Sequence, residues 1–180
     1  GSAAAVAEAL AGRASGHRTL MRLHREAIYR FVHSYTGHEA DALDVTQECF
    51  VAAFLALARY DAQRPFRGWL LRIALNKCHD WARRRTVRRL FTFAAPLDEA
   101  AALADTGTPD PEAALLSRQE VARIEAAIAA LPGTLKDPLL LCTLEGLSQD
   151  AAAQVLGISR KAVETRIYRA RQKLSQRLEG

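Results

Sequence analysis

The sequence predicts an all-α protein built as two small helical domains joined by a flexible linker. Apolar residues recur at three- and four-residue steps through most of the chain, and alternating β-branched runs are absent. One internal stretch loses that period and gathers Pro, Gly and acids instead. At 180 residues there is room for two such units, and 49% hydrophobic residues can supply each with a core.

The elements follow in order. Residues 1–16 begin with Gly1-Ser2, which reads as an expression scar, and continue as an Ala-rich stretch without the charged start of a signal peptide. They are expected to be a disordered extension. Over residues 17–35, Leu20, Leu23, Ala27, Ile28, Phe31, Val32 and Tyr35 form one apolar stripe, closed by Gly37 in the manner of a C′ glycine. A second helix is expected over 39–59, with Leu43, Gln47, Phe50, Phe54 and Leu57 on one face. Its first turns carry Glu39, Asp41 and Asp44, favourable at the positive end of a helix. Pro65 disfavours helix at Arg64, and a third helix runs from near residue 66 to about 85 with Trp69, Leu70, Ile73, Ala74, Cys78 and Trp81 on its apolar side. These segments make an N-terminal domain over 17–92. Residues 93–111, with Pro96, Gly107, Pro109 and Pro111, read as an acidic linker.

The remaining residues, 112–180, form the second domain. A helix is expected over 112–131, then a turn at Pro132-Gly133, then a helix with Pro138 in its first turn, reaching Gly146. Ser148 is a good N-cap for a short helix, Gly157 supplies a tight turn, and Ser159 caps a second helix to about residue 178. Ala153 is small where the second helix must cross the first. Val163, Ile167, Ala170, Leu174 and Leu178 point inward on that second helix. Arg160, Lys161, Glu164, Thr165, Tyr168, Arg169 and Gln172 point outward.

That geometry is a helix-turn-helix, whose second helix places its N-terminal residues against base edges in the major groove. Arg160 and Lys161 suit guanine or phosphate, and Ser159 at the helix start suits a phosphate. An ordinary helical hairpin with a wet polar face is the bland alternative, and the basic outward face argues against it.

Charge is unevenly spread. The net charge is +5, but residues 59–89 hold ten Arg or Lys against two Asp, and residues 158–180 hold seven against two Glu. Residues 94–116 hold five acids and no base. Two basic segments around an acidic spacer point to two surfaces meeting one polyanion. Upstream, Asp44, Gln47 and Glu48 share a helix face as an acidic patch. The aromatic and basic stretch after it suits unstacked bases, although its arginine run alone could be a solvated helix end.

Cys49, Cys78 and Cys142 are odd in number and widely spaced, which fits reduced thiols in a cytoplasmic protein. Cys78-His79 lacks metal-ligand spacing, and no metal or cofactor is expected. With no Gly-rich phosphate loop and no nucleophile–base pairing, the sequence does not read as an enzyme.

Two blocks, "DVTQECFVAAFLALARYDAQRPFRGWLLRIALNKCHDWARRR" and "LPGTLKDPLLLCTLEGLSQDAAAQVLGISRKAVETRIYRARQKL", resemble regions 2 and 4 of the sigma-70 family of RNA polymerase sigma factors, in its compact extracytoplasmic-function group. The resemblance implies that Asp44, Gln47 and Glu48 dock on the clamp helices of the polymerase β′ subunit. It implies that residues 60–67, with Tyr60, Asp61, Arg64, Phe66 and Arg67, capture an extruded base of the −10 element. Trp69, Asn76, Lys77, Trp81, Arg83, Arg84 and Arg85 fall on the helix that melts and contacts −10 DNA. Ser159, Arg160, Lys161, Glu164, Thr165, Tyr168 and Arg169 fall on the −35 reader. The implied partners are core RNA polymerase (β′ clamp helices and β flap), promoter DNA and an anti-sigma factor, with no small-molecule substrate. Phe54 replaces the family's usual Trp, and Gln149, Ala151 and Ala152 replace its common Tyr, Glu and Ile. Two other readings are a sigma-like decoy that sequesters an anti-sigma factor, and a LuxR-like helix-turn-helix regulator. Outward arginines count against the first, and a roleless N-terminal half counts against the second.

Overall fold

The computed structural model describes residues 1–92 and 111–180, and the side chains of the second stretch from residue 115. Among the described residues there are helices and no strands. The N-terminal half comprises α1 (Ser2–Leu10), α2 (Ala14–Thr36), α3 (Glu39–Ala56), a 3-10 turn (Leu57–Arg59) and α4 (Phe66–Phe91). The C-terminal half comprises α5 (Pro111–Ala129), α6 (Gly133–Thr143), α7 (Gln149–Leu156) and α8 (Arg160–Glu179). The linker expected over 93–111 lies outside the described residues except for Pro111, which opens α5.

The N-terminal extension is a correction. Residues 2–10 are helical, and Ala5, Val6 and Ala9 are buried against α2. Small side chains let the two helices approach closely. A Cβ at Gly16 would lie 2.3 Å from the Ala9 nitrogen and 2.6 Å from the Ala5 carbonyl oxygen, so only glycine permits this crossing. Ser2 Oγ also hydrogen-bonds with His24 Nε2 at 2.9 Å, tying the start of α1 to α2.

Helices α2, α3 and α4 pack around a core of Leu20, Ile28, Phe31, Val32, Val45, Cys49, Leu70, Leu71, Ala74 and Cys78. Fully burying a Leu, Ile or Phe stabilises by about 1.5–3 kcal/mol each, so this set dominates the domain's cohesion. Leu23 and Leu43 are exposed, and the buried face of α3 is Ala42, Val45, Thr46, Cys49, Phe50 and Ala53. That face is turned from the expected one because α2 and α4 both press on α3 and select its small residues. Phe54 is half-buried and meets the His17 ring edge-on at 4.7 Å.

In the C-terminal half, α8 rests on α5, α6 and α7. Helix α6 starts at Gly133, after Pro132, so Pro138 stands inside the helix and not in its first turn. Pro138 and its neighbours Leu139, Leu140 and Leu141 are buried, and that packing offsets the missing backbone donor.

The two halves touch. Helix α7 lies against α4, and α5 and α6 lie against α2. At the seam, Lys136 is buried, with Nζ donating to the carbonyls of Tyr35 at 2.8 Å and Ala129 at 2.7 Å. It also stands 4.0 Å from the Tyr35 ring centroid, a cation–π contact. Burial pulls the Lys136 pKa down to about 8.

Candidate nucleic-acid interface

The helix-turn-helix is formed as its residues require. Ser148 Oγ accepts from the Ala151 amide at 3.1 Å, and Ser159 Oγ accepts from the Ala162 amide at 3.0 Å. Gly157, at φ 67°, ends α7 in the left-handed region that a Cβ disfavours. Ala152 is fully enclosed and Ala153 nearly so, and Val163, Ile167 and Ala170 of α8 are buried. The Ala residues at 151 and 152 therefore leave α7 seated: one takes the cap and the other fills the helix crossing.

Arg160 and Lys161 stand exposed on the first turn of α8, with Glu164, Tyr168 and Arg169 exposed and Thr165 half-buried behind them. Lys161 Nζ pairs with Glu164 at 3.1 Å, and Arg160 Nη1 pairs with Asp150 of α7 at 3.4 Å. Solvent-exposed pairs of this kind contribute about 0–1 kcal/mol, so phosphate or base can displace them readily. Gln149 lines a groove with Lys161, Glu164, Thr165, Tyr168 and Arg171. The substituted Gln149 thus borders the expected reading face.

The upstream residues divide into three groups. Tyr60, Phe66 and Trp69 form an aromatic triangle with ring centroids 5.1–5.4 Å apart, Phe66 buried and the other two half-buried. The loop between them is set locally. Asp61 Oδ1 accepts the Gln63 amide at 2.9 Å, Arg64 pairs with Asp61 at 3.5 Å, and the Tyr60 hydroxyl donates to the Arg64 carbonyl. Asn76 is exposed on α4.

The second group is the arginine run. Arg83 pairs with Asp80, Arg84 with Glu48 at 3.3 Å, and Arg85 with Asp41 at 3.9 Å while lying 5.4 Å from the Trp81 ring centroid. Two of these pairs bridge α4 to α3. The third group is a groove lined by Asp44, Gln47, Glu48, Val51, Leu55 and Lys77. Leu55 is 80% exposed and Val51 59%, an apolar edge beside two carboxylates. Lys77, expected beside −10 DNA, also lines this acidic groove.

Arg67 does not project freely. Its Nη2 donates to Glu145 Oε2 at 2.6 Å and to the Glu145 carbonyl at 2.9 Å, across the seam. Sequence reasoning missed Glu145, Lys136 and Asp137 as contact residues. Their signal was the charged pair Lys136-Asp137 set directly before the apolar run 138–141, where a wet helix face would break.

Cys49 and Cys78 are fully buried, and burial pushes both thiols up, Cys49 to about 12. Among the described residues, no cluster of three His, Cys, Asp or Glu could hold a metal ion, and no helix is long and apolar enough to cross a membrane.

Comparison with known proteins places both halves. Residues 20–88 match the model of sigma-70 region 2, and residues 121–174 match that of sigma-70 region 4. The chain is 41% identical to the RNA polymerase sigma factor CnrH of Cupriavidus metallidurans over 178 residues, covering 97% of this chain and 92% of that protein. It is 36% identical over 180 residues to the RNA polymerase sigma factor NccH of Alcaligenes xylosoxydans xylosoxydans, covering 97% and 96%. Among solved structures, that of CnrH in complex with the cytosolic domain of CnrY is similar, with 34% identity and a TM-score of 0.70, covering 98% of this chain and 96% of that one.

Proposed function

Because the chain belongs to the sigma-70 family of RNA polymerase sigma factors, in its extracytoplasmic-function group, we propose that it binds core RNA polymerase, reads −35 DNA with α8 and opens −10 DNA with α4 and the loop before it. Full-length similarity to sigma factors, with both halves matched in order, is the observation that carries this reading.

The surfaces support the division of labour. The first turn of α8 presents Arg160 and Lys161 at the end of a helix seated by two serine caps. The aromatic triangle of Tyr60, Phe66 and Trp69, flanked by Arg64 and Arg67, can stack a base taken from the duplex. The groove of Asp44, Gln47 and Glu48, edged by Val51 and Leu55, suits a basic helical partner and is assigned to the β′ clamp helices. By likeness to CnrH, an anti-sigma partner is proposed as well. The protein acts by binding rather than catalysis, and its place is beside polymerase in the cytoplasm.

Run-off transcription tests the reading. Purified core polymerase plus this chain should give promoter-specific transcripts from a genomic promoter library. No transcript from any template, together with tight binding to an anti-sigma protein, would mean that the chain is a decoy.

A further inference from the structure

The outward face of α8 carries cations, hydroxyls and an amide, as a surface meeting a polyanion should, with one exception. Glu164 is the only acid of the helix before its last residue, Glu179. It is exposed, and Lys161 Nζ stands 3.1 Å from its Oε2. As a helix-stabilising pair this one is laid the wrong way round. A carboxylate one turn before its lysine suits the helix macrodipole, whereas here the lysine comes first, in a first turn with no acid. The pair therefore does little for α8 itself, and a carboxylate on a DNA-facing helix is repelled by every phosphate that it nears.

The major groove offers that carboxylate a partner. A carboxylate only accepts hydrogen bonds, and the donors on base edges there are the cytosine N4 and adenine N6 amino groups. An ammonium only donates, and suits guanine O6 and N7 or thymine O4. In each base pair the amino group and the keto oxygen are the two ends of one hydrogen bond, about 2.9–3.0 Å apart. Lys161 Nζ and Glu164 Oε2 have nearly the same separation and the complementary chemistry. Laid over that bond, Glu164 accepts from the amino group and Lys161 donates to the keto oxygen, with the ion pair kept intact.

Two base pairs fit this polarity, C·G and A·T, with the amino base under Glu164. The neighbouring groups separate them. Guanine N7 gives Lys161 a second acceptor, whereas adenine N7 turns a lone pair towards Glu164 and the thymine methyl crowds Lys161. The reversed pairs, G·C and T·A, set acceptor against acceptor and donor against donor.

We propose that Lys161 and Glu164 act as one reading unit that selects a C·G base pair in the −35 element, cytosine under Glu164 and guanine under Lys161. The inference rests on the reading of α8 as the −35 reader and deepens it. At one position it orders the base pairs as C·G, then A·T, then G·C and T·A together. A lysine on a phosphate beside a solvated glutamate does not produce that order.

The test uses holoenzyme, core polymerase with the full chain, on templates whose −35 segment is randomised and whose transcripts carry an identifying barcode. Wild type should show one −35 position where C exceeds G and T about tenfold, with A second. Glu164→Gln should make A the first choice at that position alone, because an amide spans adenine N6 and N7. Lys161→Ala should lower the C-over-G ratio at the same position and leave the others as they were. Both side chains are exposed, so helical circular dichroism of the variants should match wild type. A wild-type profile without the C·G position, a profile that Glu164→Gln leaves unchanged, an even loss over all positions, or two variants that alter different positions would each overturn the proposal. Failure of the promoter reading shows separately, as wild-type holoenzyme that gives no transcript or has no −35 preference at any position.

Discussion

His79 and Asp137 stand 58 positions apart in the chain and meet across the seam, His79 Nε2 donating to Asp137 Oδ2 at 2.8 Å. That hydrogen bond raises the His79 pKa above its ordinary value, against an opposing push from burial. The groups around the ring are Asp137 from α6, Tyr35 from α2, and Asp80 and Arg83 from α4 itself. Asp80 adds to the rise and Arg83 opposes it.

A proton on His79 is therefore held more tightly with the halves together than apart. Its contribution to holding the halves together is fully present below the ordinary histidine pKa, about 6.5, and is lost as pH rises through the raised value. The radius of gyration of the full chain should grow as pH is raised above about 6.5, and His79→Gln should flatten that response. The effect is small because the His79 side chain is 38% exposed. A pH response of equal size in the variant would assign it to another group.

Gly16 sets the α1–α2 crossing. Gly16→Ala puts a Cβ against the Ala9 backbone and should cost about 1–3 kcal/mol. The urea midpoint should fall while binding to −35 duplex is unchanged. An unaltered midpoint would mean that α1 does not hold to α2 in solution.

Arg160→Ala should weaken binding to a −35 duplex about tenfold, as expected for loss of a bidentate base contact of about 1–3 kcal/mol, and should spare polymerase binding. Equal loss of both would move the reading face off α8.

Reversing Asp44 and Glu48 to Lys should do the opposite. Affinity for core polymerase, followed by co-elution or interferometry, should drop while −35 duplex affinity holds. Retained polymerase binding would remove the acidic groove from the docking surface.

What the sequence disclosed was local. Ser148, Gly157 and Ser159 specify caps and a turn within a few residues, and the structure forms each of them. The stripes of α2 and α8 were legible because large residues mark them. Helix α1 was not, since Ala5, Val6 and Ala9 give a weak apolar signal and Gly16 makes sense only once its partner helix is known. The face of α3 was misjudged for a related reason: a helix packed on two sides buries Ala and Thr, and periodicity weighs Leu and Phe more heavily. The pairings across the seam were not legible, although the charged Lys136-Asp137 before an apolar run marked that something must cover it. Nothing local tells Arg67 that its carboxylate is Glu145, 78 positions away, and Asp137 looks like any solvated acid until α6 is laid on α2 and α4.

The arginine run has a thermodynamic signature of its own. Arg83, Arg84 and Arg85 each already face a carboxylate, from Asp80, Glu48 and Asp41. An arginine that leaves a carboxylate for a phosphate exchanges one anion for another, and the freed carboxylate must then gather its own cation from solution. The ions released by DNA thus find a sink on the protein. The slope of log K against log salt should be shallower than about 0.9 per phosphate contacted, and a footprint estimated from that slope would come out too small.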